Sequence, residues 1–295
     1  MKGTKRVVTG LLVGAGVVGL VAFDHFTQSA WATCTLLALL IAGALREAYL
    51  MLAAAGHALR VWPPVIATFA LLALRAGASE LQLEPAEARA IVVVGLGALM
   101  IAPLVAGIAR GPGPDGPQPK DLVRAGLHAL PLAWVGLLGS FLVELRMIGG
   151  TAAHGMQRGL ALCLVTAAAV KLGDSTAYFV GRMFGRSPLC WVSPKKTWEG
   201  ALASSVGSVA AAVLLGAWFG FDERVVAGLG LVASLAGQGG DLVESYVKRA
   251  LGVKDSAPTF GEMGGLLDML DALLLAAPAA YLWCELLIVR DGLPG

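Results

Sequence analysis

Apolar residues in this chain come in long unbroken runs, and polar residues gather between them. A membrane-spanning helix needs about 20 mostly apolar residues. Nine stretches qualify as candidates, near 7–23, 29–45, 61–76, 90–109, 123–143, 158–181, 200–220, 225–247 and 265–289. The first three are the shortest. No internal repeat relates the stretches. The expected fold class is therefore all-α, a polytopic integral membrane protein with about nine transmembrane helices. The first run follows the basic start MKGTKR, as in a signal sequence, but the many runs after it favour an uncleaved first helix.

Charge orients this layout, because Lys and Arg concentrate in short cytoplasmic loops. With the N-terminus in the cytoplasm, fifteen bases fall on the cytoplasmic side: Lys2, Lys5, Arg6, Arg46, Arg60, Arg110, Lys120, Arg124, Arg182, Arg186, Lys195, Lys196, Lys248, Arg249 and Lys254. Six fall outside: Arg75, Arg89, Arg146, Arg158, Arg224 and Arg290. Lys171 lies within a run. The asymmetry predicts an odd number of spans, with the C-terminus outside. Composition agrees, since 57% of residues are hydrophobic and 14% charged, with mean hydropathy +0.75. A soluble domain carries about 25% charged residues. The expected setting is the inner membrane of a bacterium, with the polar face of the chain in the cytoplasm.

The segment RGPGPDGPQPK, 110–120, is too rich in Gly and Pro to be helical. It divides the chain into an N-terminal half (1–109, about four spans), a linker (110–122) and a C-terminal half (123–295, about five spans). The N-terminal half is poor in charge within its spans, so the chemistry is expected in the C-terminal half. Cys34, Cys163, Cys190 and Cys284 are scattered without metal-ligand spacing and read as packing residues.

Three polar stretches interrupt the C-terminal runs: KLGDSTAYFVGR (171–182), SPKKTWEG (193–200), and GDLVESYVKRALGVKD (240–255), which continues into SAPTFGEMGGLLDMLD (256–271). Asp241, Glu244, Ser245, Lys248 and Arg249 recur at helical spacing and share one stripe, and Asp268 and Asp271 share another. Charge inside a membrane is costly unless it faces protein, water or ligand. Clustered carboxylates without Cys or His suit a hard ion such as Mg²⁺, alone or with a second cation, and neighbouring bases suit phosphate. Together they point to phosphoryl or nucleotidyl transfer onto a lipid. Blander readings stand beside this one. Lys195 and Lys196 fit an ordinary cytoplasmic loop. Asp241 fits a structural hydrogen-bonding acid, and Glu244 with Lys248 fits a plain helix pair. SLAGQGGD (234–241) fits close helix packing and lacks the Lys of a P-loop. Trp198 fits an interfacial anchor. His25, His57, His128 and His154 fall outside the cluster.

These stretches resemble the phosphatidate cytidylyltransferase (CDP-diacylglycerol synthase) family. That signature reads Ser-x-apolar-Lys-Arg, four residues, Lys-Asp, a short stretch, His-Gly-Gly, two residues, Asp-Arg-x-Asp. Ser245, Val247, Lys248, Arg249, Lys254, Asp255, Gly264, Gly265, Asp268 and Asp271 match it with the right spacing. Ser193 to Thr197, Glu199 and Gly200 match a second box, and GDSTAYFVGRMFGR resembles a third. The likeness is strong over about 170–275 and weak before 150. Met263 stands where the family has His, Met269 where it has Arg, and Gly261-Glu262 where it has Pro-Gly. Methionine neither carries charge nor donates a hydrogen bond.

The resemblance implies that CTP and phosphatidate give CDP-diacylglycerol and pyrophosphate, in phospholipid biosynthesis. It implies that Asp241 and Asp268 hold Mg²⁺, with Asp271 and Glu244 in support and Asp174 orienting a lysine or a second ion. Lys195, Lys196, Lys248, Arg249 and Lys254 then meet the phosphates, with Asp255 beside them. Ser193, Thr197, Glu199, Ser245, Gly264 and Gly265 complete the substrate site. The partners are CTP, a phosphatidate-like lipid and membrane lipids; a second copy of the chain is kept as a candidate partner, and nucleic acid is not. Two alternatives stay open, a related enzyme using another lipid phosphate or acting as a lipid kinase, and a non-catalytic lipid-binding descendant. A transporter fits less well, because the acids cluster on one side instead of at the midplane.

Overall fold

The computed structural model describes residues 16, 18–78, 80–109, 118–253, 256–257 and 264–289. Helices fill most of this: α1 (Trp31–Ala54), α2 (Trp62–Ala76), α3 (Pro85–Ala109), α4 (Pro119–Pro131), α5 (Leu138–Arg146), α6 (Arg158–Phe184), α7 (Trp198–Trp218), α8 (Glu223–Ala250) and α9 (Leu266–Cys284). Residues 18–27 are also helical, past the predicted end of the first expected run at 23; residues 7–15 and 17 of that run lie outside the described residues. Seven helices among the described residues are long and apolar enough to cross a membrane; α4 and α5 count as one of them, and α2 is shorter at 15 residues. The chain is an all-α polytopic integral membrane protein. The expected linker lies mostly outside the described residues, as do Lys254, Asp255 and Met263.

Backbone chemistry sets the helix boundaries. Pro131 lacks a backbone N–H, and the next turns open into a π-helical segment, Leu132–Leu137, before α5 resumes. Asp222 caps α8 by accepting from Arg224 N–H at 2.9 Å and Val225 N–H at 3.2 Å. Gly252, at φ +71°, ends α8 in the left-handed conformation that glycine tolerates.

Two apolar cores hold the bundle. One joins Ile41, Leu45 and Tyr49 of α1 to Leu72, Leu96 and Leu132, and to Leu267 and Leu274 of α9. Segments from both sides of the linker thus share one core. The other joins Leu145, Leu162, Val165, Val226, Leu229 and Tyr281 toward the opposite end. Where α6, α8 and α9 cross, the contact residues are small: Val170, Ala233, Ala272 and Ala276. A side chain on Gly240 would strike the Asp271 carbonyl, and one on Gly230 would lie 2.8 Å from the Ser208 carbonyl. The glycine-rich stretch 234–241 is therefore a close helix contact.

Buried charge is distributed more widely than the sequence suggested. Asp24, Glu47 and Arg75 of the N-terminal half are all buried. Arg75 donates to both oxygens of Glu144, at 2.7 and 3.0 Å, and Arg89 adds a contact at 3.3 Å. Arg146 donates to Asp24 at 3.2 Å and to the Ser29 carbonyl at 2.9 Å. These pairs tie α2, α3 and α5, and residue 24, at the end of the bundle away from the polar stretches 182–198 and 240–271. A sequence shows each charge without its partner, which is why the N-terminal half looked poor in interior chemistry.

Because the obstacle at Gly240 is backbone, it cannot move aside. Gly240→Ala is expected to separate α8 from α9 and destabilise the detergent-solubilised protein by about 1–3 kcal/mol. Gly126→Ala, at a position with open space around it, should leave the thermal midpoint unchanged.

Candidate active site

The 193–200 stretch forms a loop anchored to the start of α7. Thr197 is the N-cap, its hydroxyl accepting from Gly200 N–H at 3.2 Å. Glu199 reaches back to accept from Arg186 N–H at 3.2 Å and Ser187 N–H at 3.3 Å. The Ser193 carbonyl accepts from Lys196 N–H at 3.0 Å, and the Lys196 carbonyl from Leu189 N–H at 2.7 Å. Gly200 sits against Gly181, with 3.3 Å between its missing Cβ and the Gly181 Cα, so α6 and α7 nearly touch. Thr197, Glu199 and Gly200 thus build the loop, and the loop presents its lysines. Lys196 forms an ion pair with Asp241 of α8. Lys195 is exposed.

The end of α8 and the start of α9 carry the acids. Lys248 Nζ donates to Glu244 at 2.7 Å and to Asp268 at 2.8 Å. Glu244 and Lys248 are therefore the helix pair their spacing allows, extended across to α9. Asp268 also accepts from Ser256 N–H (3.3 and 3.2 Å) and from Gly265 N–H at 2.8 Å. Its oxygens are occupied by a lysine and by backbone. The oxygens that converge belong to Asp241, Glu244 and Asp271, within 4.8 Å of one another. Glu244 is 1% exposed, and its Oε1 is buried without a hydrogen-bond partner. An orphaned carboxylate oxygen beside two others is a large desolvation cost unless a cation fills the gap or a proton neutralises the acid. All three ligand atoms are hard oxygens, the donor set of a divalent ion of the Mg²⁺ or Ca²⁺ type. The residues present fit such an ion.

The other expected residues are placed as follows. Asp174 and Lys171 lie one turn apart on α6, at 3.9 Å, and Lys171 Nζ also donates to the Met269 carbonyl at 2.9 Å. Lys171 therefore ties α6 to α9 at the rim of the cluster. Ser245 is half-buried on α8. Arg249 is exposed, and its guanidinium donates to the Val253 carbonyl at 3.4 Å, closing the helix end. Gly264, at φ +84°, takes the chain into α9, and Gly265 is its N-cap. Trp191 and Tyr246 meet edge-on at 6.1 Å above the loop, and Trp198 is exposed as an interfacial ring would be.

One residue was missed by sequence reasoning. Glu47 of α1 is buried and accepts from Leu267 N–H at 2.9 Å and from the Ser256 hydroxyl at 3.0 Å. The second run was expected to end at 45, whereas α1 continues to Ala54. A signal existed: Ala44, Ala48 and Met51 are buried at helical spacing around Glu47, which places it on the inner face.

Comparison with known proteins bears on this arrangement. The chain resembles a phosphatidate cytidylyltransferase of Synechocystis, 34% identical over 195 residues, 58% of this chain and 66% of that one. It resembles phosphatidate cytidylyltransferase 5, chloroplastic, of Arabidopsis thaliana, 36% identical over 130 residues, 43% of this chain and 33% of that one. The Mycobacterium tuberculosis phosphatidate cytidylyltransferase is 39% identical over 131 residues, 44% and 39%. The chain thus spans a third to two thirds of the length of these curated relatives. The model of the Cytidylyltransferase family matches residues 4–287, nearly the whole sequence, and the chain belongs to that family.

Proposed function

We propose that this protein transfers the cytidylyl group of CTP to the phosphate of a membrane lipid of the phosphatidate class. The observation that carries the reading is the convergence of Asp241, Glu244 and Asp271, with Glu244 Oε1 buried and unpartnered, and with Lys196 of the neighbouring loop paired to Asp241. Relatives named phosphatidate cytidylyltransferases support the choice of substrates.

In this reaction a lipid phosphate oxygen attacks the α-phosphorus of CTP. The new P–O bond forms as the bond from the α-phosphorus to the bridging oxygen of the β-phosphate breaks. Pyrophosphate leaves, and CDP-diacylglycerol stays in the membrane. No protein nucleophile is required, because positioning and charge neutralisation do most of the work in phosphoryl-type transfer. Asp241, Glu244 and Asp271 would hold Mg²⁺, which when bound neutralises phosphate charge. Lys195 is free to meet a phosphate directly. Lys196 begins paired to Asp241 and can exchange that partner for a triphosphate oxygen. Lys248 neutralises Glu244 and Asp268 and so positions the acids without touching substrate. Thr197 and Glu199 act through the loop they hold.

The same reading puts the site at the cytoplasmic face of a bacterial inner membrane, where CTP is available. The asymmetry of bases supports this side. On the other side, Arg75, Arg89 and Arg146 are already paired with Glu144 and Asp24.

The direct test uses purified protein with labelled CTP, phosphatidate and Mg²⁺. The expected products are CDP-lipid and pyrophosphate; release of CDP with a phosphorylated lipid would instead show a kinase. Asp241→Asn and Asp271→Asn should each lower the rate about 100-fold or more while the protein still inserts, because each removes one of three converging charged ligands. Near-normal turnover in either variant rejects the metal assignment. Lys195→Ala should raise KM for CTP with a smaller effect on kcat, read from steady-state kinetics, since an exposed lysine binds ground state and transition state alike.

Sidedness is testable by thiol labelling in a cysteine-free background. Gly113→Cys in the linker should react only from the cytoplasmic side, and Gly292→Cys only from the outside. Labelling of both from one side overturns the orientation.

A further inference from the structure

Glu47 is 1% exposed and belongs to the half of the chain that carries none of the expected site residues. Its Oε2 accepts from Leu267 N–H at 2.9 Å and from Ser256 Oγ at 3.0 Å. Leu267 lies in the first turn of α9, where backbone N–H groups have no partner within the helix. A helix normally satisfies one of them with its own N-cap side chain. The N-cap here is Gly265, which has none. Glu47 supplies the acceptor from another helix, and its charge sits at the positive end of α9. A side chain on Gly265 would run into both Glu47 and the Ser256 hydroxyl. Glycine at 265 is therefore what lets the Glu47 carboxylate approach.

The contact continues into the carboxylate cluster. Ser256 donates its hydroxyl to Glu47 and its N–H to Asp268; Asp268 accepts from Lys248, and Lys248 also donates to Glu244. One turn along α9 from Asp268 is Asp271, which converges with Asp241 and Glu244. Glu47 thus sets α9 against α8 by two routes, the α9 backbone and the Ser256–Asp268–Lys248 chain.

We propose that Glu47 is a positioning residue for the cation site. It fixes the first turn of α9 so that Asp271 meets Asp241 and Glu244. This rests on the reading that these three carboxylates hold a divalent ion. Partners that orient ligands in this way typically change metal affinity by about 10–100-fold when removed.

The experiment measures Mn²⁺ binding to the purified full chain in detergent by electron paramagnetic resonance, beside CTP-dependent turnover and thermal unfolding. Glu47→Ala is expected to raise the Mn²⁺ half-saturation about tenfold or more and to lower kcat, with KM for CTP within about threefold. Glu47→Gln should stay within about threefold of wild type. Its amide oxygen, in the place of Oε2, still accepts from both Leu267 N–H and Ser256 Oγ. Rescue by the amide separates positioning from a general loss of packing. Wild-type Mn²⁺ affinity in Glu47→Ala overturns the proposal, as does a Glu47→Gln variant as impaired as Glu47→Ala. If Glu47→Ala does not fold, Glu47→Asp reads the same quantity, because a side chain one methylene shorter cannot reach both partners; unchanged affinity there also overturns it. A wild-type chain that binds Mn²⁺ but makes no CDP-lipid rejects the proposed reaction and leaves the Glu47 result standing. A wild-type chain that binds no Mn²⁺ rejects both.

Discussion

The arrangement of the site depends on one constraint: a carboxylate buried in a medium of low dielectric must be matched by a positive charge or a set of donors. Lys248 meets that demand for two acids at once. Its side chain is 12% exposed and bridges Glu244 on its own helix and Asp268 on the next. Removing the lysine would leave Glu244 buried without a counter-charge and take one of several donors from Asp268, a loss of about 3–5 kcal/mol for a broken buried pair. The pairing also leaves a remainder. Glu244 gives Oε2 to Lys248 and keeps Oε1 unpaired, in a side chain that converges with Asp241 and Asp271. The interaction that stabilises the helix pair is thus also what leaves room for a cation. The opposite end of the bundle obeys the same rule with Arg75–Glu144 and Arg146–Asp24, but the buried acids there are met by arginine forks and donors.

Small residues make this electrostatic arrangement reachable. Carboxylates on different helices can converge only if the backbones approach closely. Gly240 against the Asp271 carbonyl brings the α8 and α9 backbones together immediately beside Asp241. Gly181 and Gly200 do the same for α6 and α7, which carry Asp174 and the lysine loop. Acids on rigid, closely crossed helices hold their geometry better than acids on loops. Lys195 and Lys196, the lysines proposed to meet phosphate, are on the loop instead.

The sequence boxes of the family mix two kinds of residue. In SPKKTWEG, Thr197 and Glu199 bond to backbone N–H groups, whereas Lys196 pairs with an acid of the cluster. In the last box, Gly265 makes way for Glu47, and Asp268 organises the helix start. Met269, where the family has Arg, contributes its backbone carbonyl to Lys171. Residues that a motif joins in one pattern therefore do different physical work.

The sequence alone determined most of the helices, because run length and polarity are local properties that a membrane amplifies, but it ended α1 at 45 where the helix runs to Ala54. It also showed the clustered acids and bases of 171–200 and 240–271, since charge inside an apolar run is visible without a partner. It did not distinguish Asp268 from Asp271, because spacing puts both on one face and only the neighbouring helix decides which oxygen is already bonded. Nor could it find Glu47. Its partners Ser256 and Leu267 are more than 200 positions away, and they meet it only after α1, α8 and α9 have packed. A helix is fixed by residues three and four apart, whereas a buried charge is fixed by whatever donor the fold brings to it, and that pairing exists only in three dimensions.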